Sequence, residues 1–391
     1  MYRQGMFRNI LVFLMVSAMG ISLASCGPKA RPSTNQLDTP EHHTFAGIKL
    51  LNQGKYADAQ REFDLAVQLA PKYSQAHAGM GLVKAYQGDY KGAFASLKNA
   101  GKYAKTDEDN VLFHVGRIRV YAMGMAVADK NWLKEAKDDF DAAVLINPKS
   151  SAAYYFMGLA YKAGLDFVQA GQMFRQTLDL AGDYGKEADS EWNLAQKIQR
   201  AMPGTVTGKK IAVVERITRA DAAALFMEEL KIDVLYQKRT PKTFDTAFKD
   251  PEKAKTAAKQ PATASDIADH TLKADIQGIL RIGVRGLENY PDGSFHPNDF
   301  VDRATYAMML EDILIKVTGD NALATRFIGS TSPFPDLRSD LPYFNAVMVV
   351  TSRGIMEARN LTSGEFAPLN PVPGVDALLI IRKIKEELKF F

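Results

Sequence analysis

The stretch GKYADAQREFDLAVQLAP at residues 54–71 predicts a helix in the first half of the chain, because its apolar residues recur with helical spacing. Three further stretches share its pattern: GDYKGAFASLKNAGKY (88–103), KNWLKEAKDDFDAAVLINP (130–148) and LDFVQAGQMFRQTLDLAG (165–182). They align at intervals of 34, 43 and 34 residues on Ala59, Ala93, Ala136 and Ala170. A large residue follows each alanine after four positions and a small one three positions later. This spacing places all of them on one face of a helix.

The four copies predict paired helices that stack into a solenoid. Each aligned helix follows another helix with a glycine at its crossing point, at Gly47, Gly81, Gly116 and Gly158. Glycine lets the paired helices approach closely, and the large residue fills the gap between them. The pattern resembles tetratricopeptide repeats, which are helix-turn-helix units of about 34 residues. The resemblance predicts a solenoid over 41–201, with an extended third hairpin around Met123 to Asn131 and a capping helix over 185–201.

The resemblance also implies a groove that binds another protein. By register, the inner faces of the first helices present a largely apolar set of residues, which suits an amphipathic helix or an extended segment. A chain-terminal carboxylate would require a tight Lys/Asn cluster, which this register does not supply. Packing against a neighbouring repeat or the capping helix remains the alternative at each position. The predicted groove residues are Ile48, Leu51, Leu82, Phe113, Arg117, Tyr155 and Leu159.

The second half of the chain, residues 208–391, has a different repeat. Its fullest copy spans 266–316, and a copy at 333–386 has the same order of helix, Gly turn, hydrophilic loop and final helix. A partial copy occupies 211–230, and an irregular insertion rich in Lys, Ala and Thr follows at 231–265. Together with the first half, this predicts a mainly α fold in which a helical solenoid precedes a helical module with short turns or strands.

Two motifs of this module carry a resemblance to a known family. The loop Asn289-Tyr290-Pro291-Asp292-Gly293-Ser294-Phe295-His296-Pro297 fits one family hallmark. The helix starts at Thr218-Arg219-Ala220-Asp221 and Asp302-Arg303-Ala304-Thr305 fit the other, whereas the last copy reads Pro373-Gly374-Val375-Asp376 and lacks the arginine. The loop contains Pro-Asp-Gly, which favours a tight turn. The resemblance therefore predicts divergent S-layer homology repeats.

The helix starts combine structural and candidate binding residues. Thr218 and Asp221 have the spacing of a capping box. Arg219 and Arg303 are unexpected in a first helical turn, because the positive end of the helix dipole opposes a cation there. A carboxylate or other anion on a ligand would explain them, and a salt bridge to Glu215 or Asp299 is the alternative. In the resembled family this arginine contacts cell-wall polymer, so the candidate wall-binding residues are Thr218, Arg219, Asp221, Asp302 and Arg303.

The N-terminus is typical of a bacterial lipoprotein signal. Arg3 and Arg8 precede an apolar run of about 14 residues, too short for the ~20 residues of a membrane-spanning helix. The run ends in Leu23-Ala24-Ser25-Cys26, which resembles a lipobox. This predicts a signal peptide over 1–25, a covalent lipid on Cys26, a flexible tether over 26–40, and an outer-membrane location facing the periplasm. An export signal followed by a free cysteine is the alternative.

Composition narrows the function classes. The 49 Lys and Arg nearly balance the 45 Asp and Glu, which argues against a nucleic-acid-binding protein. A single cysteine excludes an intramolecular disulfide and a thiolate-rich zinc site. The sequence contains no H-E-x-x-H, G-x-S-x-G, phosphate-loop or dinucleotide motif. We therefore expect no catalytic residue, no metal, and no cofactor other than the lipid on Cys26.

These patterns predict a lipid-anchored scaffold of the cell envelope. The solenoid groove would bind an unidentified protein, and the C-terminal module would bind cell-wall polymer, either peptidoglycan or an associated polysaccharide. The alternative is an assembly or secretion-accessory lipoprotein of the outer membrane, whose C-terminal repeats make only protein–protein contacts. An unrecognised hydrolase would require a pocket with converging carboxylates.

Overall fold

A computed structural model describes residues 30–239 and 263–390. The chain divides into two compact units, Met1–Glu191 and Trp192–Phe391. Sixteen α-helices account for most of the described residues, and the extended structure among these residues is limited to two isolated β-bridges. The mainly α fold is therefore confirmed. Cys26, the predicted signal peptide and most of the predicted insertion lie outside the described residues.

Four helix pairs form the first unit, as the repeat pattern predicts. They are α1 (Pro40–Asn52), α2 (Tyr56–Leu69), α3 (Ser74–Tyr86), α4 (Tyr90–Tyr103), α5 (Asp107–Ala128), α6 (Trp132–Ile146), α7 (Ser151–Ala163) and α8 (Phe167–Asp179). Helix α9 (Gly185–Ala201) follows, and the division between the two units falls within it.

The alanine, phenylalanine and glycine positions form the core of these pairs. Phe63 and Phe174 are completely buried. A Cβ atom placed on Gly47 would lie 2.7 Å from the Phe63 ring, and one on Gly158 would lie 2.6 Å from the Phe174 ring. The predicted close approach of paired helices is therefore confirmed at Gly47 and Gly158, whereas a Cβ atom on Gly116 would meet Leu97 of the preceding pair.

The third hairpin is extended, as the longer repeat interval predicts. Helix α5 has 22 residues, and its regular geometry is interrupted at Met125, where φ is 45°. By length and composition alone, α5 is also the one described helix that could cross a membrane. It packs against α3, α4, α6 and α7 and contributes Ile118 and Val120 to the buried core. These contacts identify α5 as a solenoid helix.

The predicted flexible tether is partly wrong, because residues 30–39 fold against the first repeat. Asp38 is only 6% exposed and accepts two hydrogen bonds from the Arg31 guanidinium, at 2.7 and 2.8 Å. Thr34 donates its backbone N–H and its hydroxyl to the same carboxylate, and His43 Nε2 lies 3.0 Å from it. The Arg31 N–H donates to the Gln68 carbonyl. Composition suggested a solvated segment, but one buried carboxylate organises it.

The second unit contains the C-terminal part of α9 and seven further helices. They are α10 (Val206–Ala212), α11 (Arg219–Ala224, continued by a π-helical turn at Leu225–Leu230), α12 (Ile232–Arg239), α13 (Lys273–Ile282), α14 (Arg303–Thr318), α15 (Phe344–Ser352) and α16 (Gly374–Glu387). Gly283 and Gly354 end α13 and α15 with positive φ, so the predicted Gly turns are confirmed.

A closed ring of backbone hydrogen bonds joins the three copies. The Ile217 N–H donates to the Val372 carbonyl, the Val372 N–H to the Val301 carbonyl, and the Val301 N–H to the Ile217 carbonyl, at 2.9 to 3.1 Å. All three side chains are buried. Because each of these residues precedes the last helix of its copy, the ring places the three helix starts around one centre.

Candidate functional site

Arg219 at the start of α11 holds the loop of the next copy. Its Nε donates to the Phe295 carbonyl at 2.9 Å, and its two terminal nitrogens donate to the Gly286 and Glu288 carbonyls at 2.5 and 2.8 Å. The guanidinium also lies over the Phe295 and Tyr290 rings, 4.7 and 5.0 Å from their centroids. Arg219 is 8% exposed. It therefore acts as a structural anchor between copies.

Arg303 at the start of α14 repeats this arrangement one copy further on. Its Nε donates to the Phe366 carbonyl at 2.8 Å, and one terminal nitrogen donates to the Glu357 carbonyl at 2.5 Å. The guanidinium lies 4.5 Å from the centroid of the Phe366 ring. Burial lowers the pKa of Arg303, and the positive charge of Arg359 adds to this effect. An anion beside Arg303 would reduce this electrostatic cost.

These contacts explain the arginines without a ligand. Backbone carbonyls supply the negative potential that the sequence argument assigned to a bound anion. The salt bridge to Glu215 or Asp299 was the alternative explanation. It is wrong for Arg219, because the side-chain nitrogens of Arg219 donate to backbone carbonyls. Whether wall polymer also contacts Arg219 or Arg303 stays a prediction.

The other three candidate residues cap the same helices. Thr218 and Asp221 form the predicted capping box, in which the Asp221 N–H donates to the Thr218 hydroxyl and the Thr218 N–H donates to the Asp221 carboxylate. Asp302 accepts from the Thr305 N–H at 2.7 Å. All three side chains fix the helix starts that carry Arg219 and Arg303.

The last copy lacks its arginine for a steric reason. Gly374 occupies the position equivalent to Arg219 and Arg303, and its N–H donates to the Val214 carbonyl. A Cβ atom on Gly374 would lie 1.7 Å from the Ile211 carbonyl oxygen. The partial first copy therefore meets α16 through direct backbone contact, where a side chain cannot fit.

Two carboxylates that the sequence reasoning missed hold the same loops from the other side. Asp266 accepts from the Phe295 and His296 N–H groups, both at 2.7 Å. Asp336 accepts from the Phe366 and Ala367 N–H groups at 2.9 and 2.7 Å. Their sequence signal is an aspartate followed by a buried aliphatic residue at the start of each copy. Each loop is thus held between an arginine and an aspartate.

A cleft of about 370 Å³ lies beside Arg303. Five cationic side chains and two carboxylates line it, so it has an excess of three positive charges. Arg359 donates to the Asp376 carboxylate at 2.9 Å, and Lys197 lies 3.8 Å from the same group. These charged residues are Lys197, Arg200, Arg303, Glu357, Arg359, Asp376 and Lys383. The cleft can bind an anionic group next to a deeply buried guanidinium.

Residues 287–307 match the family model of the S-layer homology domain. The matched residues include Glu288 and Phe295, whose carbonyls accept hydrogen bonds from Arg219. They also include the helix start that carries Arg303. The predicted S-layer homology resemblance is therefore confirmed. A domain of this kind indicates association with the cell envelope.

A relative in Homo sapiens, Tetratricopeptide repeat protein 6, is 30% identical over 132 residues. The alignment covers 34% of this chain and 24% of that protein. The chain thus spans about a quarter of the length of this relative. Together with the helix pairs of the first unit, the similarity confirms the predicted tetratricopeptide-like repeats, a repeat type that indicates protein interaction.

Most of the charge in the cleft comes from outside the S-layer homology motifs. Lys197 and Arg200 belong to α9, and Lys383 lies late in α16. These residues lie far from Arg303 in the sequence and belong to no motif, so sequence patterns could not identify them as part of the cleft.

The seven predicted groove residues have different environments in the structure. Leu51 and Leu82 are each 5% exposed and belong to the buried core, so their assignment to an open groove is wrong. Ile48 is 43% exposed, and Leu159 is partly buried. Tyr155 stacks on Tyr184 with ring centroids 4.9 Å apart, and burial raises the pKa of Tyr155 to about 12.

Phe113 and Arg117 do lie together, in a pocket of about 670 Å³ between α4 and α5. The Arg117 guanidinium is within 5.5 to 5.9 Å of the centroids of the Phe94, Phe113 and Tyr121 rings. Its Nε donates to Asp139 at 2.7 Å, so its charge is paired.

The same pocket contains a Lys/Asn cluster that the predicted register had not supplied. Lys98, Lys102 and Asn110 line it, and the two lysines are exposed. The lysines come from α4, the second helix of its pair, whereas the predicted groove contains only residues of first helices. The pocket therefore offers aromatic walls with positive charge at its edge.

Proposed function

We propose that this protein is a non-catalytic scaffold of the bacterial cell envelope. In this proposal, Cys26 carries the lipid that attaches the chain to the outer membrane on its periplasmic side. The S-layer homology region binds an anionic group of cell-wall polymer, and the repeat solenoid binds a protein partner. The protein would thereby link the membrane to the wall.

One observation carries the wall-binding proposal: the cleft beside Arg303 has five cations and two carboxylates. Peptidoglycan and its associated polysaccharides present carboxylates or other anions, which guanidinium groups recognise through charge-assisted hydrogen bonds. Arg303 already donates to two carbonyls, so it is held in place before a ligand arrives. A fixed donor loses little side-chain entropy on binding.

The test uses the rim of the cleft, because removing Arg219 or Arg303 would also damage the fold. The double variant Lys197→Gln/Arg200→Gln should reduce retention of the full mature chain on purified peptidoglycan sacculi by about tenfold. The control Arg281→Gln/Arg326→Gln removes the same charge from two exposed positions of the same unit. Equal retention of the two double variants would contradict a binding role for the cleft.

The solenoid pocket supports the proposal of a protein partner. Its aromatic side chains can contact apolar residues, and Lys98 and Lys102 can pair with carboxylates of an extended segment. A photoreactive amino acid at position 98 should form crosslinks in intact cells, whereas one at Lys134, on an exposed face of α6, should form few. Similar crosslinking at both positions would argue against this pocket.

The accessory-lipoprotein alternative also has an observation in its favour. Arg219 and Arg303 make their hydrogen bonds within the chain, so neither guanidinium depends on an external ligand. If wild-type protein is not retained on sacculi of any source bacterium, the S-layer homology region has only a structural or protein-binding role. Retention that depends on Lys197 and Arg200 would eliminate this alternative.

A further inference from the structure

Three large apolar side chains are exposed at the beginning of the first unit. Phe45 is 70% exposed, Leu37 is 65% exposed and Ile48 is 43% exposed. Phe45 and Ile48 are three positions apart on α1 and therefore share a helix face. In the second repeat, the position equivalent to Ile48 is Leu82, which is only 5% exposed. The first repeat thus leaves open a surface that is covered further along the solenoid.

The segment before α1 is fixed against the first repeat. Arg31 makes a bidentate contact with Asp38, which directly follows the exposed Leu37. His43 joins Asp38 to Glu62 of α2, at 3.0 and 2.7 Å. Because Asp38 is 6% exposed, these contacts hold residues 31–38 firmly against the first repeat.

The length of chain between Cys26 and this fixed segment is short. Four peptide units separate Cys26 from Ala30, and they can span at most about 14 Å. An acyl chain on Cys26 would therefore keep Ala30, where the segment packed on the first repeat begins, within about 14 Å of the anchoring point. Lipid headgroups alone occupy several ångströms of this distance, since the whole bilayer is only about 40–45 Å thick.

We infer that Leu37, Phe45 and Ile48 form a membrane-contact face, which rests on the bilayer that holds the lipid of Cys26. The inference depends on the acylation proposed above. Apolar side chains such as phenylalanine and leucine bury readily at the boundary between headgroups and acyl chains. Lys49, which is exposed beside Ile48, can reach anionic headgroups. The first repeat would then lie on the membrane instead of extending away from it on a flexible tether.

The lone cysteine makes a direct test possible. In the acylated protein the Cys26 sulfur is blocked, so Phe45→Cys introduces one reactive thiol for a nitroxide spin label. The labelled protein is placed in vesicles of phosphatidylethanolamine and phosphatidylglycerol at a ratio of about three to one, a mixture with the negative surface charge that Lys49 would meet. Leu145→Cys, at an apolar position on α6 that is 85% exposed, is the matched control.

We expect the label at position 45 to collide with apolar oxygen at least threefold more, relative to a water-soluble nickel chelate, than the label at position 145. Mass spectrometry of the N-terminal peptide reports acylation separately. If Cys26 is acylated and the two labels behave alike, the membrane-contact face is wrong and the anchor stands. If Cys26 carries no lipid, both the anchor and the membrane-contact face are overturned.

Discussion

At the scale of single residues, this protein uses charged side chains to hold neutral backbone. Arg219 and Arg303 each fasten the loop of a following copy through carbonyls, and Asp266 and Asp336 fasten the same loops through N–H groups. A charged partner strengthens each hydrogen bond, and burial keeps water from competing. The loops therefore need little regular secondary structure of their own.

Replacing Arg219 tests this role. Arg219→Met removes donors from three carbonyls, and we expect it to lower the free energy of unfolding of the second unit by about 3 kcal/mol. The measurement is urea unfolding of the full chain, followed by the fluorescence of Trp192 in a Trp132→Phe background. Arg326→Met, at an exposed position, should change stability by less than about 0.5 kcal/mol. Similar losses in both variants would refute an anchoring role for Arg219.

The contact between His43 and two carboxylates predicts a dependence on pH. Burial opposes the charge on the imidazole, but the bonds to Glu62 and Asp38 outweigh it and raise the pKa of His43. The Arg31 guanidinium and the bonds from Thr34 and His43 lower the pKa of Asp38 despite partial desolvation. The stabilisation from His43 is complete below its ordinary pKa of about 6.5 and is lost as the pH rises through the raised value.

We therefore expect the first unit to lose about 0.5–1 kcal/mol of stability between about pH 6 and pH 9, because this pair of contacts is only partly shielded from water. Urea midpoints measured through Trp132, with Trp192→Phe as background, report this loss. His43→Gln should remove most of this pH-dependent loss of stability. His42→Gln, at the exposed neighbouring position, should leave the loss unchanged. An unchanged pH profile in His43→Gln would show that this histidine does not carry the effect.

At the scale of secondary structure elements, glycine decides how closely the helices of a pair approach. Gly47 and Gly158 lie under buried phenylalanine rings that would clash with a Cβ atom. A Cβ atom on Gly116 would lie 2.7 Å from Leu97 of the preceding pair, so this glycine allows close approach between neighbouring repeats. The repeat therefore preserves helix packing even where its length differs.

Gly158→Ala tests this packing. A methyl group 2.6 Å from the Phe174 ring forces the two helices apart, which costs about 1–3 kcal/mol and exceeds the gain of about 1 kcal/mol in helix propensity. We expect a lower urea midpoint for the first unit, measured through Trp132. Gly185→Ala, where no atom lies within 4 Å of the new Cβ, should be neutral or slightly stabilising. A stabilised Gly158→Ala would mean that the pair has free space.

At the scale of the whole molecule, the net charge is small, but positive charge is concentrated in one cleft. The formal net charge of the full chain is only +4, yet the cleft beside Arg303 holds five cations and two carboxylates. A near-neutral surface limits nonspecific attraction to polyanions, while a local excess of charge still favours one anionic ligand. This distribution favours a single specific contact over broad electrostatic coating of the wall.

Retention on sacculi should therefore depend on salt. Raising NaCl from about 0.1 M to about 1 M shortens the Debye length from about 10 Å to about 3 Å and should reduce retention of the mature chain by about tenfold. The Lys197→Gln/Arg200→Gln variant should show a smaller change over the same range, because fewer charges are screened. A retention that does not respond to salt would point to apolar contacts.

The helix pairs of the solenoid and their closest contacts follow from local sequence patterns. Spacings of four and three residues, with a glycine on the partner helix, leave few ways to bury Phe63 or Phe174, so local pattern and tertiary packing agree. The capping box of Thr218 and the turn at Gly293 were equally predictable, because each depends on residues only a few positions apart.

What the arginines contact and where positive charge collects depend on how distant segments of the chain pack together. Arg219 reaches carbonyls that are 67 to 76 positions away, and Lys197 meets Asp376 across the second unit, so no local pattern records either contact. The burial of Leu51 and Leu82 and the folding of residues 30–39 were hidden for the same reason. Helix periodicity shows which face is apolar, but the neighbouring elements determine whether that face is covered.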